Sequence, residues 1–158
     1  MFAPLRKKER EMSKEFVEAI LDGADYGVLS LITEDGYPYG VPINFVYHNN
    51  AIYFHSGKLG YKYNCAKNNN KACFTIVSKH LTLPKQYTTA YQSIIAFGRI
   101  SEIEEGKEKD EATLVFCEKF VGPHKEEAHR RINNGLKHMA LLKFEIEHIT
   151  GKERPEHK

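Results

Sequence analysis

The sequence predicts an α+β, mainly β protein: a small antiparallel barrel of five or six strands with short helices at its periphery. Three observations predict it. Short runs of alternating apolar and polar residues are separated by turn residues, and no strand–helix–strand unit repeats, which argues against a parallel dinucleotide-binding sheet. Apolar residues make up 41% and charged residues 28% of 158 residues, which fits one domain with a real core.

The elements follow in order. Ser13 is placed to cap a short helix whose Phe16, Val17, Ile20 and Leu21 share one face, and Gly23 stands where a helix ends. "YGVLSLI" reads as a strand, "EDG" as a tight turn, "YPYGVPINFVY" as the partner strand, and "HNN" as a turn into "AIYFH", making a meander. Pro38 and Pro42 cannot donate ladder hydrogen bonds, so the second strand is expected to be unpaired, bulged or at an edge there. "YKYNCAKNN" suits a short helix, followed by strand "ACFTIVS", a long loop, and a long strand "YTTAYQSIIAFGRISEIE" bent near Gly98. A helix is predicted from about Lys107 to Phe120, with Ala112, Val115 and Phe116 on its apolar face. "EEAHRRINNGLKH" is a second helix ending near Asn134–Gly135, and "MALLKFEIEHITG" is the last strand. The charged stretches "LRKKERE" and "GKERPEHK" are expected to fray, leaving a single domain with its core between about Met12 and Lys152.

Several function classes fall away. The longest apolar stretches, "LLKFEI" and "SIIAFG", are far shorter than the roughly 20 residues of a spanning helix. The charged start "MFAPLRKKEREMSKE" lacks the apolar segment of a secretion signal, so a cytoplasmic location is expected. Cys65, Cys73 and Cys117 are odd in number and match no zinc or redox spacing, which points to reduced thiols. A net charge of +2, spread among nearly as many acids, does not advertise nucleic acid as a partner. In "HKEEAH" the histidines 124 and 129 are five apart, whereas zinc-protease histidines sit four apart, so no metal site is expected. His138 and His148 read as surface or satisfied residues, and "EIEEGKEKDE" as an exposed helix start whose acids suit the dipole.

The stretch "YFHSGKLGYK" carries the chemistry. It is not a triphosphate loop, because Gly60 is followed by Tyr61 rather than by Lys and Ser or Thr. It does gather the Ser56 hydroxyl, amides freed by Gly57 and Gly60, the Lys58 and Lys62 ammonium groups, and a helix start, a set that suits one phosphate monoester. An ordinary strand-to-helix turn with solvated lysines uses the same residues. The neighbouring "GVPINFVY" favours the ligand, since a flat molecule lying along an unpaired backbone edge accounts for Pro38 and Pro42.

Taken together, "YGVLSL", "DGYPYGVPINFVY", "IYFHSGKLGYK", "FGRISEIE" and "EIEHITGK" resemble the nitroimidazole-resistance (Nim) family of the pyridoxamine 5′-phosphate oxidase-like flavin-binding split barrels. The resemblance implies a six-stranded split barrel that dimerises, with FMN in two equivalent grooves at the interface. By position, Val41, Pro42, Ile43 and Asn44 would line the isoalloxazine ring, His55 and Ser56 would approach the ribityl chain and phosphate, and Lys62 would pair with the phosphate. From the other subunit, Gln92, Ser93, Ile149 and Thr150 would close the site. Nim-like sequences commonly have Gly-His-Lys where this chain has Gly60-Tyr61-Lys62. Tyr61 can hydrogen-bond or stack on a flat ring, but it is no proton donor near neutral pH.

The expected function is therefore an FMN-dependent oxidoreductase, taking electrons from NAD(P)H and passing them to a small electron-poor acceptor such as a nitroaromatic, with no catalytic base assigned. The alternatives are a non-catalytic flavin- or haem-binding protein and a pyridoxamine-phosphate-oxidase-like enzyme. Tyr37, Tyr39, Phe45, Tyr47, Tyr53 and Phe54 alternate as core and dimer-contact residues would, in preference to a base-stacking platform.

Overall fold

The computed structural model describes residues 2–135 and 139–156; His138 lies outside them. Seven strands form one sheet: β1 (Tyr26–Ile32), β2 (Pro38–Asn44), β3 (Val46–His48), β4 (Ala51–Gly57), β5 (Lys71–Leu83), β6 (Thr88–Glu102) and β7 (Met139–Arg154). Their spatial order is β2-β1-β5-β6-β7-β4-β3, and every pairing is antiparallel. The helices are α1 (Lys14–Gly23), α2 (Tyr61–Asn68), α3 (Lys107–Phe120) and α4 (Lys125–Gly135).

The two outermost strands, β2 and β3, are consecutive in the chain and are separated by Phe45 alone. The sheet therefore curls until its edges meet at that residue. Seven strands replace the expected six because the run "YPYGVPINFVY" is not one strand. Its first part pairs with β1 and its second with β4. Phe45 is fully buried, and its amide turns aside to the Asp25 carbonyl at 3.4 Å. As the prolines require, β2 is an edge strand, with β1 its one sheet neighbour.

Alternate residues of each strand fill the interior: Leu29 and Leu31, Ile52 and Phe54, Phe74 and Ile76, Ile94 and Ala96, Leu142 and Phe144. Phe74 meets Phe45 and Phe54 edge-on at 5.0 and 5.1 Å, and burying each such side chain contributes about 1.5–3 kcal/mol. The opposite faces of β3, β4 and β7 present Val46, Ala51, Tyr53 and Leu141, which are covered by Ala112 and Phe116 of α3. Ser13 caps α1 as expected, accepting from the Phe16 amide at 3.4 Å. Val17 and Leu21, one turn apart, define that helix's buried face. Phe16, about 100° away around the helix, is 62% exposed instead of sharing it.

The long loop expected after "ACFTIVS" is absent. β5 and β6 continue as a two-stranded ribbon to a tight turn at Pro84–Gln86. The bend near Gly98 is a register shift in the β6–β7 ladder between Phe97 and Gly98. A β-carbon at Gly98 would lie 2.0 Å from the Glu145 carbonyl oxygen, so only glycine lets the strands close there. Gly98→Ala is expected to destabilise the protein by at least about 2 kcal/mol, seen as a lower urea midpoint at unchanged slope. An unchanged midpoint would mean that β7 moves away at no cost.

Candidate functional site

β4 ends at Gly57 and α2 begins at Tyr61, with Gly60 at the N-cap in a conformation (φ 136°) that side chains rarely adopt. No side chain caps this helix start, so its first amides face the turn without a side-chain acceptor. Glu102, at the end of β6, organises the turn. It accepts from the Tyr63 hydroxyl at 2.6 Å and pairs with Lys58 at 3.5 Å and Lys67 at 3.8 Å. Burial opposes ionisation of Glu102, but Tyr63 and the two ammonium groups outweigh it and hold the carboxyl below its ordinary range. Lys58 is thus already paired.

Lys62 differs. It is half-buried, its ammonium pKa is pushed down by desolvation, and no carboxylate among the described residues lies within ion-pair distance of it. The His55 imidazole is depressed by burial and then by the nearby Lys62 charge. An uncapped helix start, a lysine without a counter-ion and a histidine sensing that lysine make one spot biased toward an anion. These residues fit a phosphate monoester.

Strand alternation separates His55 from Ser56. Ser56 follows Ile52 and Phe54 inward, is 4% exposed, and donates to the Gly57 carbonyl at 3.1 Å. His55 follows Tyr53 outward and meets the Phe116 ring edge-on at 5.5 Å. On β2, Ile43 is buried and Val41 packs against the core, whereas Pro42 and Asn44 are exposed; the Asn44 amide donates to the Asp25 carbonyl at 3.1 Å. Tyr61 stands edge-on to Tyr39 of the same strand, 5.1 Å away.

The remaining predicted residues lie elsewhere. Gln92 and Ser93 are on β6, Ile149 and Thr150 on β7, and the Gln92 amide donates to the Glu153 carboxylate at 3.2 Å. One register row runs Pro42, Val28, Thr75, Ile95, Thr150 across the outer face. Four inter-strand steps separate its ends, about 19 Å along the sheet. One chain therefore holds two patches and does not bring them together.

Sequence reasoning missed a cleft of about 360 Å³ beside His55 and Asn44, walled by Phe116 and Phe120 of α3 and by Leu141 of β7. The Phe116–Phe120 spacing of one helical turn was its one sequence signal. Finding the cleft also needed the β4–β7 pairing, which joins segments about 90 residues apart.

A family model described as pyridoxamine 5′-phosphate oxidase matches residues 13–153. Among solved structures, the chain is similar to a candidate 5-nitroimidazole antibiotic resistance protein from Bacteroides thetaiotaomicron, at 26% identity and a TM-score of 0.72, covering 90% of this chain and 86% of that one. The flavocytochrome Anf3 from Azotobacter vinelandii shares the fold at 18% identity and a TM-score of 0.79, covering 96% and 72%. The FAD and haem binding protein from Mycobacterium smegmatis does so at 16% identity and a TM-score of 0.75, covering 94% and 77%. No curated protein matches.

The titration of His55 has a definite sign. Its folded pKa lies below the ordinary value, so between the two values the unfolded chain binds the extra proton and stability rises with pH. The contribution is complete above about pH 6.5 and is lost as pH falls through the folded value. In an NMR titration, Lys62→Met is expected to move the His55 midpoint up but not fully to the ordinary value, because burial is the larger cause. An unmoved midpoint would separate the two groups.

Proposed function

Since the chain belongs to the pyridoxamine 5′-phosphate oxidase family, we propose that it is an FMN-binding oxidoreductase of the nitroimidazole-resistance branch, working as a homodimer in the cytoplasm. Lys62 carries this reading: a half-buried ammonium without a carboxylate partner among the described residues, beside His55 and an uncapped helix start. The flavin phosphate would sit there beside the loop amides, and Ser56, turned inward, would act through the turn it braces by its bond to the Gly57 carbonyl. Val41, Pro42, Ile43 and Asn44 would hold the ring along the free edge of β2, where Tyr61 stands near. Lys58 would act through Glu102, shaping the turn rather than meeting the phosphate directly.

The second copy would supply Gln92, Ser93, Ile149 and Thr150. Supporting it is the outer face of β1, β5 and β6, where Val28, Ile95 and Phe97 are 36%, 40% and 37% exposed. The row from Pro42 to Thr150 and the next, Gly40, Ser30, Cys73, Phe97 and His148, contain no Lys, Arg, Asp or Glu. Uncharged surface of this kind suits a contact between subunits, and Phe2 of the same chain already stacks on Phe97 and His148 at 5.1 and 5.0 Å.

Flavin bound in the groove would take hydride from NAD(P)H and pass electrons to a small electron-poor acceptor. Similarity to the candidate 5-nitroimidazole resistance protein supports a nitroaromatic in that role. Oxidation of pyridoxamine phosphate is disfavoured, since no Lys or Arg among the described residues lines the cleft. A non-catalytic flavin- or haem-binding role is the second reading, favoured if NAD(P)H leaves the bound flavin oxidised with every acceptor tried.

Lys62→Ala is expected to weaken FMN binding by about 10- to 100-fold, the equivalent of one charge-assisted contact, measured by quenching of flavin fluorescence. Undiminished affinity would remove the phosphate assignment. Ile95→Lys is expected to give monomers in sedimentation and to release flavin with them, because a shared site links the two equilibria. Monomers that retain flavin at wild-type affinity would refute the shared groove.

A further inference from the structure

We propose that the cleft between α3 and the β4–β7 strand pair is a binding site for a small, neutral, planar aromatic molecule. Its role as the seat of the second reactant rests on the flavin reading above; its capacity to bind does not. Asn44 and His55, which end β2 and β4 and border the groove assigned to the flavin, also line this cleft. The two sites share a wall.

Size and chemistry define the ligand. A volume of about 360 Å³ lies at the small end of ligand sites, which run from about 300 to 1,000 Å³. It has room for one or two rings and not for a dinucleotide. The Phe116 and Phe120 rings lie 5.9 Å apart and 28° from parallel, and the His55 ring stands at 89° to Phe116, so a flat molecule finds both faces and edges to pack against. Leu141 and Met139 add apolar surface from β7. The polar groups are few: the Asn44 carboxamide, oriented by its bond to the Asp25 carbonyl, the Thr113 hydroxyl and the His55 imidazole. No side chain with a permanent charge lines the cleft among the described residues, so an ionised ligand would lose its hydration without compensation. One hydrogen-bonding substituent on an uncharged ring matches the set.

The test is a methyl NMR titration of the full chain, without and with FMN, using nitrobenzene as the probe and 4-nitrobenzoate as its ionised counterpart. Nitrobenzene is expected to shift the methyls of Met139 and of Ile132, which lines the cleft from α4, saturably in both forms, and 4-nitrobenzoate to bind at least tenfold more weakly. Val121→Trp changes a rim residue that is 38% exposed, so it fills the cleft without entering the core. It is expected to abolish the shifts while leaving FMN retention unchanged. No saturable shift in the wild-type chain, shifts that persist in Val121→Trp, or equal binding of both probes would overturn the proposal. Shifts without FMN binding would uphold the cleft and sink the flavin reading; FMN binding without shifts would do the reverse.

Discussion

The barrel depends on one corner, at Phe45, where the chain leaves one edge of its sheet and starts the other. The Phe45 ring is sealed against Phe74, and the Lys119 ammonium lies 4.8 Å from its centroid. The same ammonium donates to the Ala24 and Asp22 carbonyls at 2.5 and 3.3 Å, which ties the end of α3 to the end of α1. Burial pushes the Lys119 pKa down against the pull of Asp25 and Asp22, a sign of how far the group is drawn from water. Closing the sheet and placing the helix that walls the cleft are thus one event. The corner also leaves Asn44, the preceding residue, on the wall of the cleft.

The strands were legible because inward residues recur at every second position, and α1 and α2 because their ends carry a cap or a glycine. The break at Phe45 was hidden for the same reason. Tyr39, Val41, Ile43, Phe45 and Tyr47 all belong to or pack against the interior cluster, so the alternation runs through the corner unbroken. The ribbon beyond Val77 was hidden by the opposite cause. Its residues 77–82 are exposed on both faces, leaving backbone hydrogen bonds and no hydrophobic period. Lys109, 3% exposed and paired with Glu105 at 2.5 Å, was masked by the acidic run around it.

The sequence named candidate residues for the site and carried none of their geometry. His55 and Ser56 are adjacent in the chain yet face opposite sides of β4, so proximity in sequence overstated what one ligand can touch. Glu102 was read as the end of a strand and as the first acid of an exposed helix start, whereas it closes β6 and the helix begins at Lys107. Its long-range partners Tyr63, Lys58 and Lys67 show that the loop is held by a carboxylate from a distant strand, and Lys62 is left outside that network among the described residues. Electrostatic roles of this kind come from pairing across the fold, to which local spacing is blind.

The place of β7 in the sheet governs how the molecule is made. It pairs with both β4 and β6, and Lys152 bridges back to Glu11. Until β7 leaves the ribosome, β4 and β6 each present an open edge, and more than a hundred residues wait unclosed. Synthesis therefore delivers an open-edged ribbon first and a closed barrel only after β7. A nonsense codon anywhere before residue 139 would produce not a weaker version of this protein but a chain with nothing to close on.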